Sequence, residues 1–170
     1  MNNKKVGIIG IRGLPAMYGA FDRFVEQFVI SNDLKKKNIL FYISCDLYYD
    51  KFSFDSSNVK RIFVYRGDGL LILLNYLKSI LKMYFKGVRC FIFFGYGAAP
   101  FFILMKILNC KIICNPDGIE WRRPEKKIKK LYFRFCEMLI SKININRIYD
   151  SKVIERYYKI NHSTKGKTIY

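Results

Sequence analysis

The chain has 170 residues, a length that suits one domain with a core of its own. Hydrophobic residues make up 51% and charged ones 26%, which excludes a disordered tail, a collagen-like fibre and a disulfide miniprotein. Lysine and arginine number 31 against 13 acidic residues, so the formal charge is +18 and the surface is drawn toward polyanions: nucleic acid, anionic lipid or phosphorylated substrates. The five cysteines (Cys45, Cys90, Cys110, Cys114, Cys136) form no CxxC pair, and His162 is the only histidine, so no metal site is expected. Reduced, buried cysteines of a cytoplasmic protein fit this pattern, and the first residues are too short for an export signal.

Taken in chain order, short apolar runs alternate with helical patterns. Strands are predicted at 5–10, 39–44, 60–65, 89–94, 111–114, 143–149 and 167–170, each continuously apolar as strands buried on both faces are. In the first helix Phe21, Phe24, Val25, Phe28 and Val29 share a face, with Asp22, Arg23, Glu26 and Gln27 opposite. A second helix, 70–85, sets Leu70, Leu73, Leu74, Leu77, Ile80, Leu81 and Tyr84 on one stripe. The apolar stretch from Phe91 to Leu108 is broken by Gly95, Gly97 and Pro100, and reads as strand, turn and short helix rather than a membrane span. A third helix opens at Pro124 and buries Ile128, Leu131, Tyr132, Phe135, Met138 and Leu139. A last one starts after Asp150 and Ser151, either of which can cap it.

Strict alternation of strand and helix implies right-handed crossovers. The expected fold is therefore α/β: a Rossmann-like three-layer sandwich with a mostly parallel sheet, in one domain. Ligands of such sheets sit at the carboxyl ends of the strands, which directs attention to the loops there.

The loop after the first strand, Gly10-Ile11-Arg12-Gly13-Leu14-Pro15-Ala16-Met17-Tyr18-Gly19-Ala20, is rich in glycine and leads into a helix N-terminus suited to phosphate. It lacks the G-x-G-x-x-G dinucleotide fingerprint, and no cofactor is expected. The fourth strand ends in Gly95-Tyr96-Gly97. The fifth ends in Asn115-Pro116-Asp117-Gly118-Ile119-Glu120-Trp121-Arg122-Arg123, which gathers two carboxylates, the only tryptophan and two arginines. Asp117 at a strand end is suited to accept a proton or orient a polar substrate, Trp121 to stack on a sugar, and the arginines to pair with phosphate. Beyond it Arg123, Lys126, Lys127, Lys129, Lys130 and Arg134 stand against Glu125 alone, a basic amphipathic pattern that reads as membrane-facing. No nucleic-acid recognition motif is present.

Together, Val6 to Phe21, the Asn115–Arg123 loop and Ile148-Tyr149-Asp150-Ser151 resemble the N-terminal domain of bacterial rhamnosyltransferase-like glycosyltransferases, members of the retaining GT-B class (family 4) that build capsule, O-antigen and exopolysaccharide. The resemblance implies an acceptor-side domain, peripheral at the inner face of the membrane, that engages a polyprenyl-diphosphate-linked saccharide. The nucleotide-sugar donor would be held by a C-terminal domain that this chain does not include, since no glutamate pair stands in the E-x7-E spacing. It assigns Asp117 to the reacting sugar. Arg12, Gly13, Tyr18, Gly19, Gly97, Glu120, Trp121 and Arg122 are assigned to substrate. Where the family has a glycine pair, this chain has Gly19-Ala20. The alternative is a catalytically inactive homologue that binds a membrane or a partner.

Overall fold

A computed structural model describes residues 4–31, 33, 37–65, 67, 69–124 and 126–168. Its elements are β1 (Lys4–Ile9), α1 (Ala20–Ile30), β2 (Ile39–Asp46), β3 (Val59–Val64), α2 (Leu70–Phe85), β4 (Cys90–Phe94), α3 (Phe102–Ile107), β5 (Lys111–Asn115), α4 (Lys127–Lys142), β6 (Asn146–Tyr149), α5 (Lys152–His162) and β7 (Lys167–Thr168). Three 3-10 turns, Leu47–Lys51, Ala99–Phe101 and Glu120–Arg122, lie in the connections. All seven predicted strands are present. The sixth is shorter than expected because Ile143–Ile145 form the exit from α4, and Ile169 and Tyr170 lie outside the described residues. These parallel strands flanked by helices are the α/β, Rossmann-like architecture that the alternation predicts.

The chain forms two compact units, Met1–Phe91 and Ile92–Tyr170. In the first the strand order is β3-β2-β1, with Val6 opposite Phe41 and Ile8 opposite Ile43. Continuous burial along β2 from Phe41 to Cys45 is what a strand covered on both faces requires. Gly7 lies where a Cβ would come within 2.8 Å of the Phe91 ring and 2.9 Å of the Met83 sulfur, so its role is close packing within the unit. On α2 the buried residues include Ser79, Ile80 and Met83, whereas Leu74 of the expected stripe is exposed. The Ser79 hydroxyl bonds that of Ser44 at 2.8 Å, and this buried pair turns the helix face toward β2.

In the second unit the order is β4-β5-β6-β7. Phe93, Phe102, Ile112, Cys114, Cys136, Tyr149 and Tyr158 form its core. The end of α4 is closed by Arg147, whose buried guanidinium donates to the carbonyls of Ile140, Ser141, Ile143 and Ile145. A cation at carbonyls without intrahelical partners also suits the helix dipole, although burial pulls the Arg147 pKa below its ordinary value. Ser151 caps α5 by accepting from the Ile154 amide. Among the described residues no helix is long and apolar enough to cross a membrane.

The Gly7 contact yields a direct expectation. Gly7→Ala overpacks the site and lowers stability by roughly 1–3 kcal/mol, seen as a lower urea midpoint at unchanged m-value. An unchanged midpoint would contradict the packing role.

Candidate functional site

In the first unit the loop from Gly10 to Gly19 is fixed at several points. The Arg12 amide donates to Asp22 Oδ1 at 3.0 Å and the Ala16 amide to Glu26 Oε1 at 3.1 Å. The Asp46 amide donates to the Arg12 carbonyl at 2.8 Å. From β3, Arg61 donates to the carbonyls of Leu14, Tyr49 and Phe52 at 3.0, 2.9 and 2.7 Å. Asp22 is therefore buried rather than solvated, because it satisfies a loop amide, while Phe24 of the expected apolar face is exposed.

These contacts redefine the predicted glycines. Gly13 is buried, and a Cβ there would lie 2.7 Å from the Tyr49 ring, so the absence of a side chain admits that ring. Gly19 is the N-cap of α1 in an extended conformation, with open space where a Cβ would point. The polar surface that the loop presents is Arg12, with its guanidinium carbon 3.1 Å from the centre of the exposed Tyr18 ring.

The second unit holds the other predicted residues. Past β5 the chain turns through Gly118 at φ +83, a conformation that favours glycine. The Glu120 amide donates to the buried Tyr96 hydroxyl at 2.7 Å, and Gly97 accepts from Tyr132 through its carbonyl. Arg123, although exposed, reaches Glu120 Oε1 at 2.9 Å and Asp117 Oδ2 at 3.4 Å. Burial raises the Asp117 pKa above the ordinary carboxylate value; Arg123 opposes the shift and Asp150 adds to it. Burial also raises the neighbouring thiols, Cys114 to about 12 and Cys136 to about 11, which disfavours their thiolate forms.

Trp121 is tied down by Glu137, a buried carboxylate on α4. Its indole N–H donates to Oε2 at 2.8 Å, while Oε1 accepts from the Tyr157 hydroxyl at 2.8 Å and lies 2.6 Å from His162 Nε2. Arg122 lies 5.2 Å from the centres of both the Trp121 and Tyr157 rings, and Arg134 lies 5.7 Å from Trp121. The tryptophan expected to stack on a sugar is thus engaged by α4, α5 and two guanidinium groups.

The same carboxylate sets the rotation of α4, where the structure departs most from expectation. The buried residues are Cys136, Glu137 and Ile140. Ile128, Leu131, Phe135 and Met138, predicted to be buried, are 79%, 70%, 47% and 40% exposed. Burying a carboxylate that meets three donors turns this face inward and leaves an apolar stripe in solvent. The helix starts at Lys127 rather than Pro124, Lys126 is its N-cap, and Glu125 lies outside the described residues. No acid occupies its first turn, so Lys127, Lys129 and Lys130 sit at the positive end of the helix dipole, where they disfavour the helix itself.

Asp22, Glu26, Arg61 and Glu137 hold the two loops, and sequence reasoning assigned none of them a role. For Glu137 the signal was a lone acid beside Cys136 in a helix otherwise basic and apolar; for Arg61 there was none, because its partners are backbone carbonyls.

A model of the family described as a domain of unknown function, DUF1972, matches residues 3–170. No curated protein matches the chain.

Since Trp121 is the only tryptophan, all tryptophan emission comes from the indole that donates to Glu137. Glu137→Leu strands the indole donor and its companions, lowering stability by roughly 1–3 kcal/mol for each donor that stays buried, with a red-shifted native emission. Unaltered emission and midpoint would remove Glu137 from this role.

Proposed function

The chain belongs to this family, whose domain is found in glycosyltransferase-like proteins, and from that premise we propose that it is the acceptor-side domain of a glycosyltransferase. In this reading it holds a polyprenyl-diphosphate-linked saccharide at the inner membrane face during cell-surface polysaccharide synthesis. A C-terminal donor-binding domain supplies the nucleotide sugar, and the transfer is of the retaining, rhamnosyltransferase-like type.

The observation that carries the proposal is the loop after β5. It sets a half-buried carboxylate of raised pKa, Asp117, at a strand's carboxyl end in a loop held by Tyr96 at the Glu120 amide and by Glu137 at the Trp121 indole. Such rigidity is what orientation of a hydroxyl nucleophile demands. Asp117 orients the acceptor and shapes the local field, while the donor's own phosphate takes the acceptor proton, so no covalent intermediate on Asp117 is needed. In the first unit Asp22 already occupies the Arg12 amide, which favours acceptor contacts by Arg12 and Tyr18 over diphosphate binding there. The exposed stripe of α4 with Lys126, Lys127, Lys129, Lys130 and Arg134 matches an anionic membrane, each basic residue near the surface adding roughly 1 kcal/mol. That face also serves a non-catalytic membrane-binding homologue, and an activity measurement separates the two readings.

In a complete enzyme assembled with a donor-binding domain, Asp117→Ala lowers kcat roughly 100-fold or more while circular dichroism and midpoint stay unchanged. Arg123→Ala removes the neighbour that depresses the Asp117 pKa, and moves the acid limb of kcat/KM to higher pH. Near-normal turnover by Asp117→Ala would overturn the assignment, and absence of transfer by the wild type would favour the non-catalytic reading.

A further inference from the structure

Within the first unit, the outward face of α2 carries an apolar seam open to solvent. Leu71, Leu74, Lys78, Leu81 and Phe85 succeed one another at alternating intervals of three and four residues, the a and d spacing of a helix that lies along another helix. Ser79, Ile80 and Met83 face the core, so the helix is already anchored by its other side. On the seam Leu71, Leu74 and Phe85 are exposed, Phe85 at 81%, and Leu81 is half-buried. A scattered exposed leucine is ordinary, but an apolar row at heptad spacing along one helix has the form of an interaction surface. The composition agrees: among the 16 residues of α2, Lys78 and Lys82 are the only charged ones, and no acid occurs.

Charge selects what lies against this face. Lys82 is engaged within the fold, its ammonium donating to the Phe63 carbonyl at 3.2 Å. Lys78 is exposed, has no hydrogen bond or ion pair among the described residues, and stands at the middle position of the seam. A second copy of this chain is disfavoured there. Pairing in full overlap, parallel or antiparallel, sets Lys78 beside its own counterpart and brings together two chains of charge +18. A bilayer is disfavoured too, because a helix lying on lipid keeps its lysines at the flanks of its apolar face, whereas this one falls within it. We infer that the face docks an amphipathic helix of a partner protein, apolar along its own seam and carrying a carboxylate opposite Lys78. The apolar residues supply adhesion, and the charge pair at the centre fixes register and rejects mismatched partners. Such docking goes beyond the acceptor-domain reading and does not depend on it.

The test uses the 170-residue chain and a pair of fluorescent, stapled helical peptides with leucine at every a and d position except the one that meets Lys78. That position is glutamate in one peptide and lysine in the other. By anisotropy the glutamate peptide is expected to saturate, and the lysine peptide to bind roughly tenfold more weakly, since an attractive pair becomes a repulsive one. Lys78→Glu reverses that order, and Leu74→Asn weakens both peptides; both positions are exposed, so the variants keep the native circular dichroism. Lys78→Met, which equalises the two peptides, serves if the reversal variant fails to fold. Reversal at Lys78 also assigns the binding to α2 rather than to the apolar stripe of α4. No saturation by the glutamate peptide, equal affinity of the two peptides for the wild type, or an order unchanged in Lys78→Glu would each overturn the site. Dimers of the wild type in sedimentation that Leu74→Asn abolishes would give the face to a second copy. Flotation with vesicles of phosphatidylcholine and phosphatidylglycerol that the same substitution abolishes would give it to a bilayer, and either result overturns the partner helix. Transfer that depends on Asp117 is unaffected by any of these outcomes, so the acceptor-domain reading stands or falls separately.

Discussion

A single buried carboxylate organises the second unit. Glu137 gathers donors from the loop after β5, through Trp121, and from α5, through Tyr157 and His162. An ionisable group in so apolar a place is tolerated only when its oxygens are satisfied, so the three partners and the carboxylate require one another. Two consequences follow. The Asp117 loop is anchored at Trp121, and α4 is held in a rotation that its hydrophobic periodicity alone would not choose. The apolar stripe left outside is a structural cost that accompanies the loop's anchor, and it is the surface that the proposed membrane contact would use.

The first unit reaches the same end differently. Its glycine loop is positioned by backbone groups meeting charged side chains, with Asp22 and Glu26 accepting amides and Arg61 serving three carbonyls. Charge-assisted bonds of this type are stronger than neutral ones and directional, so a long irregular loop can be held without regular structure. Gly13 then serves the Tyr49 ring and Gly7 the packing of β1. The loop presents Arg12 and Tyr18.

Much of the fold was legible because strands covered on both faces leave a continuous apolar run, which survives in sequence whatever their partners are. The loop composition was legible too: Asp117, Glu120 and Arg123 do come together, as their clustering after β5 suggested. The faces of the helices were not. Ser79 on α2, paired with Ser44 of β2, and Glu137 on α4 are polar residues turned inward, and a periodicity count that places polar groups outside misplaces the buried face in both helices, although Ile80 is buried as expected. Asp22 fails for the same reason. What decides each one is a partner distant in sequence, and no local window contains it.

The account joins these pieces through α4: its anchor steadies the Asp117 loop, and its opposite face is free of core contacts and adverse to its own helix dipole. If the chain handles a lipid-linked acceptor, that face meets the bilayer. The direct measurement is flotation of the wild-type chain and of an Ile128→Ser, Leu131→Ser double variant with vesicles of phosphatidylcholine alone or with phosphatidylglycerol added. The account predicts that wild type floats with the anionic vesicles, that it releases at high salt, and that the variant stays at the bottom of the gradient while remaining folded. Equal recovery with both vesicle types, or flotation indifferent to the two substitutions, would contradict it.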